Sequence, residues 1–291
     1  MSYRWWSSCK TNTGRVRQVN EDAFLELGDA GLWIVADGMG GHTRGDVASR
    51  LIIEAFRGLE RPASIMEFSA DVRDRLKLAH HRVKQESDRT GSQQIIGSTV
   101  VVLLVFKRQW LCLWAGDSRA YLLRDGVLQR ITKDHSVAQE LADMGKLDVD
   151  DVEGHPYSNH ITRAVGANHE LVLDERSSEL RDGDAILLCS DGLNKELSEA
   201  EITAILENYD CNDATRELID LSLEHGGRDN VTVALVRFEE ITGFSEPAAD
   251  DTAVNYHILQ NNLGAANGRI CMHNKRLIAL DMQTGAARKS L

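Results

Sequence analysis

Three prolines stand in the whole chain of 291 residues, at Pro62, Pro156 and Pro247. That scarcity excludes proline-rich linkers and low-complexity proline tracts. Aromatic residues are 5% of the chain, so a core has to be mostly aliphatic. The five cysteines (Cys9, Cys112, Cys189, Cys211 and Cys271) form no C-x-x-C pair, and Cys112 and Cys189 sit inside apolar runs. They read as reduced core residues rather than disulfides or metal ligands, which points to the cytoplasm. No apolar run approaches the ~20 residues of a membrane span; the longest covers Val100 to Phe106. Met1 to Trp6 is too poor in apolar residues for a signal peptide. Basic charge is also short: 33 Lys and Arg against 45 Asp and Glu leave a net charge of −12. The basic footprint of a general nucleic-acid binder is therefore missing.

What remains is ample apolar material, 42% of residues, arranged mainly in strand-length runs. These are 31–37, 98–106, 110–117, 119–123, 127–132, 171–180, 185–190 and 231–238. Asp125-Gly126 between two alternating runs predicts a tight hairpin, and residues 107–109 predict another. Apolar residues at helical spacing predict helices over 46–59, from Val47 to Leu59, and over 65–88, from Ile65 to Val83. Ser64 with Glu67 and Ser198 with Glu201 have the spacing of capping boxes, the second opening a helix over 199–208. A fourth helix, 213–225, ends before Gly226. Strands in hairpins and helices in pairs predict an α+β protein with packed antiparallel sheets and helices outside, not a βαβ repeat. Composition changes near Gly243, so a domain over 1–240 and an extension over 241–291 are expected. That extension is expected to be flexible, with a short hairpin or helix at its end.

The placement of aspartates carries the chemistry. Asp37 ends an apolar run and is followed by Gly38-Met39-Gly40-Gly41. Asp117 and Asp191 end two further runs, Asp229 precedes the run from Val231, and Glu21-Asp22 precedes Ala23-Phe24-Leu25. Each carboxylate sits at the mouth of a strand, usually beside glycine. Asp-Gly at a strand end is ordinarily a turn, the reading given to Asp125-Gly126 and Asp182-Gly183. For five mouths beside apolar runs, convergence is the stronger account. Two carboxylates about 4 Å apart repel by roughly 4 kcal/mol at an effective dielectric of 20. Such a cluster needs protons or cations, and all-oxygen donors favour Mg²⁺ or Mn²⁺ over zinc. The strand, glycine turn and helix over 32–57 do not make a dinucleotide fingerprint, because Thr43 stands where its third glycine belongs.

Seven segments then occur in a telling order. They are Val35 to Gly41, Gly97-Ser98-Thr99, Ala115 to Arg119, Asp134-His135-Ser136, Ile161 to Gly166, Ser190-Asp191-Gly192 and Arg228 to Thr232. Together they resemble the motif series of the type 2C (PPM) metal-dependent protein serine/threonine phosphatases, in their bacterial branch, over roughly residues 10–240. The resemblance implies a four-layer αββα sandwich, two central antiparallel sheets flanked by helix pairs. It also implies a binuclear Mn²⁺ or Mg²⁺ centre. By that resemblance Asp37 bridges both ions, the Gly38 carbonyl binds one, and Asp191 and Asp229 bind the second. Glu21 and Asp22 are the candidates for a further ligand. Asp117 matches a position linked to a third, weaker ion, and Arg17 matches the arginine that grips the substrate phosphate.

The implied activity is hydrolysis of phosphoserine and phosphothreonine on proteins by direct attack of water, with no phosphoenzyme. The implied partners are a Ser/Thr kinase and that kinase's substrates, with no nucleic acid and no membrane, for a chain expected to act as a monomer. Residues 144–160 are expected to form a flap beside the ions, acidic through Asp148, Asp150, Asp151 and Glu153. Asp134-His135-Ser136 reads as architectural. One departure concerns the general acid: eukaryotic relatives carry histidine two residues after the bridging aspartate, where this chain has Met39. The role does not transfer to His42. The competing classes are a small-molecule phosphatase and a phosphoprotein-binding module without activity.

Overall fold

The computed structural model describes residues 2–40, 44–60, 62–89, 96–167, 169–241, 270–273 and 276–279. His42 lies outside them. In chain order the strands are β1 (Ser2–Asn12), β2 (Asp22–Leu27), β3 (Leu32–Met39), β4 (Gly97–Ser98), β5 (Val100–Phe106), β6 (Gln109–Ala115), β7 (Arg119–Arg124), β8 (Val127–Arg130), β9 (Asp174–Glu179), β10 (Ala185–Cys189) and β11 (Val231–Ile241). The helices are α1 (Gly45–Glu54), α2 (Ile65–Arg89), α3 (Val137–Asp143), α4 (Asp191–Asn194), α5 (Glu199–Asn208) and α6 (Cys211–Glu224). The chain forms two compact units, Met1–Thr242 and Gly243–Leu291. Within the second, β12 (Ile270–His273) and β13 (Arg276–Ala279) pair as an antiparallel hairpin.

The first unit has two sheets. One runs β1-β11-β10-β7-β8, the other β2-β3-β5-β6-β9 with β4 attached to β3. All their pairings are antiparallel. Central strands are covered on both faces, so they read as continuous apolar runs rather than alternating ones. Alternation still sorts their side chains. Ile34, Val102, Leu104 and Leu113 pack with Ile52, Phe68 and Leu76 of the α1/α2 layer. Their neighbours Trp33, Val35, Val101 and Leu103 meet Ala120, Leu122, Ile186, Leu188 and Val236 of the opposite sheet. On the far side, Tyr121, Leu187, Val233 and Leu235 pack with Ile202, Leu206 and Leu218 of α5 and α6. Three apolar layers therefore separate four structural ones, an αββα sandwich. Each fully buried Leu, Ile, Val or Phe contributes roughly 1.5–3 kcal/mol, so the sandwich is a stiff frame for whatever its strand ends carry.

Many local signals end the elements as expected, and among the departures three corrections stand out. The predicted hairpin turn is present: Asp125 and Gly126 have φ of 52° and 75°, the left-handed pair of a type I′ turn. The Ser198/Glu201 capping box is complete at α5, whereas at α2 only its Ser64 half is seen, accepting from Glu67 N at 3.2 Å. Helix α1 ends at Glu54, not 59, because the following carbonyls of Ala55 and Arg57 are taken by Arg75 Nη1 at 2.9 and 3.2 Å. Strand β9 begins at Asp174, not 171. Strand β1, absent from the sequence reading, is the third correction. It pairs with β11 along its whole length, from Ser2↔Ile241 to Asn12↔Val231.

Candidate metal centre

Antiparallel order brings the starts of some strands beside the ends of others. The start of β2 and of β11 and the ends of β3, β6 and β10 all lie at one end of the sandwich. The register sets Asp22 directly opposite Asp37. Alternation from Trp33 and Val35 turns Asp37 toward the facing sheet. There, Ser190 Oγ and Thr232 Oγ1 reach across and donate to Asp22 Oδ2 at 2.8 and 2.7 Å. Like charges directly opposite on a strand pair are destabilising, so this pairing is a cost the fold carries at one place.

The backbone around these groups is crowded. A Cβ on Gly38 would collide with the Gly45 carbonyl, and one on Gly192 with the Asn230 carbonyl. Each glycine after its aspartate is required because another segment passes against it. Glu21 holds that junction: its carbonyl accepts from Gly38 N at 3.1 Å and its Oε1 from Gly45 N at 2.8 Å. Asn230 ties in the next segment. Its Oδ1 accepts from Glu21 N at 2.8 Å, and its Nδ2 donates to Thr13 O and Val19 O at 2.9 and 3.0 Å.

The electrostatics follow from burial. Asp22 and Asp117 are at most 9% exposed. Burial pushes the Asp22 carboxyl up to about 7, against the pull of its two hydroxyl donors. Burial and the charges of Asp191 and Asp134 push Asp117 up to about 8. Asp37 is raised well above the carboxylate range by burial and by Asp22, Asp191, Asp117 and Asp229 together. Asp191 is raised by burial, with Lys195 opposing. These are four acids in mutual conflict, the state that cations relieve.

A fit to hard divalent ions rests on the donors. The buried atoms Asp22 Oδ1, Asp117 Oδ1 and Asp191 Oδ1 have no hydrogen-bond partner, although buried polar atoms are nearly always satisfied. All are carboxylate oxygens, the donors Mg²⁺ and Mn²⁺ take. Among the described residues no group of three or more His, Cys, Asp or Glu side chains is placed so that it could by itself hold a metal ion. Ions of the Mg²⁺ type keep several waters and need only one or two carboxylates each, so an open arrangement suits them.

Each expected site residue has a place. Arg17 pairs with Asp229 in fork fashion, Nε to Oδ1 and Nη2 to Oδ2, both at 3.0 Å. Asp117, Asp191, Asp229 and Arg17 line one cleft of about 500 Å³. Val152, Glu153, Ser158 and Asn159, from the segment expected as a flap, border the same cleft. Glu153 is anchored there by Arg119 Nη1 at 2.9 Å. His135 serves structure: its Nδ1 accepts from Gly116 N at 3.1 Å, and its ring stacks on Trp114. The sequence reading missed Lys195. Its ammonium is ion-paired with Asp191 and stands 3.8 Å from Asp229 Oδ2. Its spacing, one helical turn after Asp191, is a signal too common on helices to single it out.

An αββα sandwich with a carboxylate cluster at one end is a frame suited to hard divalent ions. The chain belongs to the protein phosphatase 2C family, whose model matches residues 11–235. It is 37% identical over 232 residues to the serine/threonine protein phosphatase PstP of Mycobacterium tuberculosis, a match covering 78% of this chain and 44% of that protein. The chain thus spans less than half of that relative's length. Among solved structures it resembles PppA, a key regulatory component of T6SS in Pseudomonas aeruginosa. There the TM-score is 0.75 and the identity 42%, covering 82% of this chain and 98% of that one. It also resembles the PstP catalytic domain in complex with two manganese ions, with TM-score 0.71 and identity 34%, covering 82% and 100%. No helix among the described residues is long and apolar enough to cross a membrane.

Proposed function

We propose that this chain is a metal-dependent phosphatase of phosphoserine and phosphothreonine in proteins. The observation that carries the reading is the set of buried, partnerless carboxylate oxygens of Asp22, Asp117 and Asp191 at the mouths of both sheets. Asp37, with the Gly38 carbonyl, and Asp191 with Asp229 would hold two Mn²⁺ or Mg²⁺ ions. Asp22 and Glu21 would contribute from the edge, and Asp117 would serve a third, weaker position. Bound there, such ions supply Lewis acidity and lower the pKa of water near phosphorus.

The protein's own residues do the rest. Ser190 and Thr232 fix Asp22 in one orientation. Arg17, with half its side chain exposed, has a guanidinium fork that matches two phosphoryl oxygens as well as it matches a carboxylate. The phosphoryl group would sit in the cleft between Arg17 and the carboxylates, with its Ser or Thr oxygen leaving toward solvent. None of the four cysteines whose side chains the structure describes has the setting of a nucleophile: burial raises the thiols of Cys9, Cys112, Cys189 and Cys211, and a buried thiol is inert.

The cellular substrates are phosphoproteins made by a Ser/Thr kinase, and the enzyme acts as a cytoplasmic monomer. Residues 1–240 carry the activity and 241–291 form an extension. Phosphate release from a phosphothreonine peptide tests the reading. It should require Mn²⁺, stop with EDTA and be lost in Asp191→Ala. Hydrolysis that survives either treatment at the wild-type rate overturns it.

A further inference from the structure

Lys195 lines the cleft and has no role in the family reading. It caps the short helix α4, and its backbone N–H donates to the Asp191 carbonyl at 3.0 Å. That turn directs the side chain back along the helix toward its start. Its ammonium is then ion-paired with Asp191 and 3.8 Å from Asp229 Oδ2, with the Asp117 charge also acting on it. Asp191 is only 12% exposed, so this is not a solvated surface pair. Of the other cations nearby, Arg228 is committed to Glu196 at 2.9 Å and Arg119 to Asp134 at 2.8 Å, and Arg17 shares Asp229 with the lysine but does not pair with Asp191. Lys195 also lines an adjoining hollow of about 200 Å³ that carries Glu199 and Glu153, the latter already paired with Arg119. The ammonium therefore has a second acidic place to go.

We propose that Lys195 is a tethered counter-ion. It occupies the Asp191–Asp229 pair when no divalent ion is bound, and it has to be displaced toward Glu153 and Glu199 for an ion to enter. This rests on the metal-centre reading above. A divalent ion and an ammonium compete for the same oxygens, so the lysine stabilises the empty centre and weakens its hold on the incoming ion. A lysine suits this better than an arginine committed to a fork, because its charge is compact and its four-carbon stem swings freely.

Three forms of the full chain test it: wild type, Lys195→Met and Lys195→Arg. Mn²⁺ binding is followed by calorimetry, and thermal unfolding is followed in EDTA and in saturating Mn²⁺. Lys195→Met should bind Mn²⁺ about tenfold more tightly at one site, a change of about 1.4 kcal/mol. It should melt below wild type in EDTA and lose that deficit in Mn²⁺. Lys195→Arg, which keeps the charge but forks onto carboxylates, should bind Mn²⁺ no more tightly than wild type. Should the empty Met variant not fold, chelator competition from the Mn²⁺-loaded protein reads the same quantity, and about tenfold more EDTA should be needed to strip it. A Met variant that binds and releases Mn²⁺ like wild type overturns the lysine's role and leaves the metal centre standing. Wild type that binds no Mn²⁺ overturns both.

Discussion

Asp-Gly occurs at both ends of the sandwich, and the two ends use it differently. At one end, Asp125-Gly126 and Asp182-Gly183 close turns. Their carboxylates are exposed, Asp182 Oδ1 accepts from Glu240 N at 3.0 Å, and Gly126 and Gly183 have φ of 75° and 83°. Those glycines are needed for a left-handed backbone. At the other end, Asp37-Gly38 and Asp191-Gly192 carry carboxylates of the cluster, that of Asp191 buried and that of Asp37 partly so. Their glycines do not adopt positive φ; they make room for a passing carbonyl. The dipeptide is the same, and what differs is the company antiparallel pairing assembles. At the first end each turn joins strands adjacent in sequence. At the second, segments 20 to 230 arrive together, and much of their charge is withdrawn from solvent.

The sharpest way to break this contrast is to remove one aspartate from each end. Asp37→Ala should lower kcat/KM for a phosphothreonine peptide by roughly 10³-fold, the scale of losing a central electrostatic group. Asp182→Ala should leave it within about twofold. Equal losses at the two ends would mean that burial does not mark function here.

The same contrast should appear in pH dependence. Asp22 and Asp117 bind a proton more tightly folded than unfolded, at about 7 and about 8 against an ordinary value near 3.9. Their contribution to stability is complete below about pH 4 and is lost as pH rises through 7 and 8. The slope is about 1.4 kcal/mol per pH unit for each proton difference. In EDTA the protein should therefore melt lower at pH 8 than at pH 5.5, and Asp117→Asn should flatten that trend. In saturating Mn²⁺ the order should disappear, because ions replace the protons. A metal-free protein whose melting temperature is flat between those pH values would remove the idea of a strained carboxylate cluster.

Much of this was legible in the sequence, and the limits have physical causes. Aspartates directly after apolar runs announce strand mouths, and Asp125-Gly126 announces its turn through backbone geometry alone. Strand β1 was not legible. Of its side chains only Tyr3 is fully buried, so its alternation is faint, and β11 specifies it through backbone pairing. Lys195 was hidden for another reason: a lysine four residues after an aspartate is common on any helix, and only the fold reveals that this one faces a second buried carboxylate. Arg17 was expected to await phosphate and is found gripping Asp229, since a guanidinium beside an uncompensated carboxylate pairs with it.

Glycine distinguishes the two ends at smaller scale. Gly192→Ala sets a methyl group into the Asn230 carbonyl and should cost about 3 kcal/mol in denaturant unfolding, the upper range for forced overpacking. Gly183→Ala has open space around it and meets only backbone strain, about 1 kcal/mol. The smallest effect belongs to Asp125. At φ of 52° it occupies a conformation that aspartate and asparagine tolerate and alanine does not. Asp125→Ala should lose about 1 kcal/mol, while Asp125→Asn should be neutral and keep full phosphatase activity. If Asn destabilises as much as Ala, the Asp125 carboxylate contributes through its charge. The exposed end would then resemble the buried one more than its geometry allows.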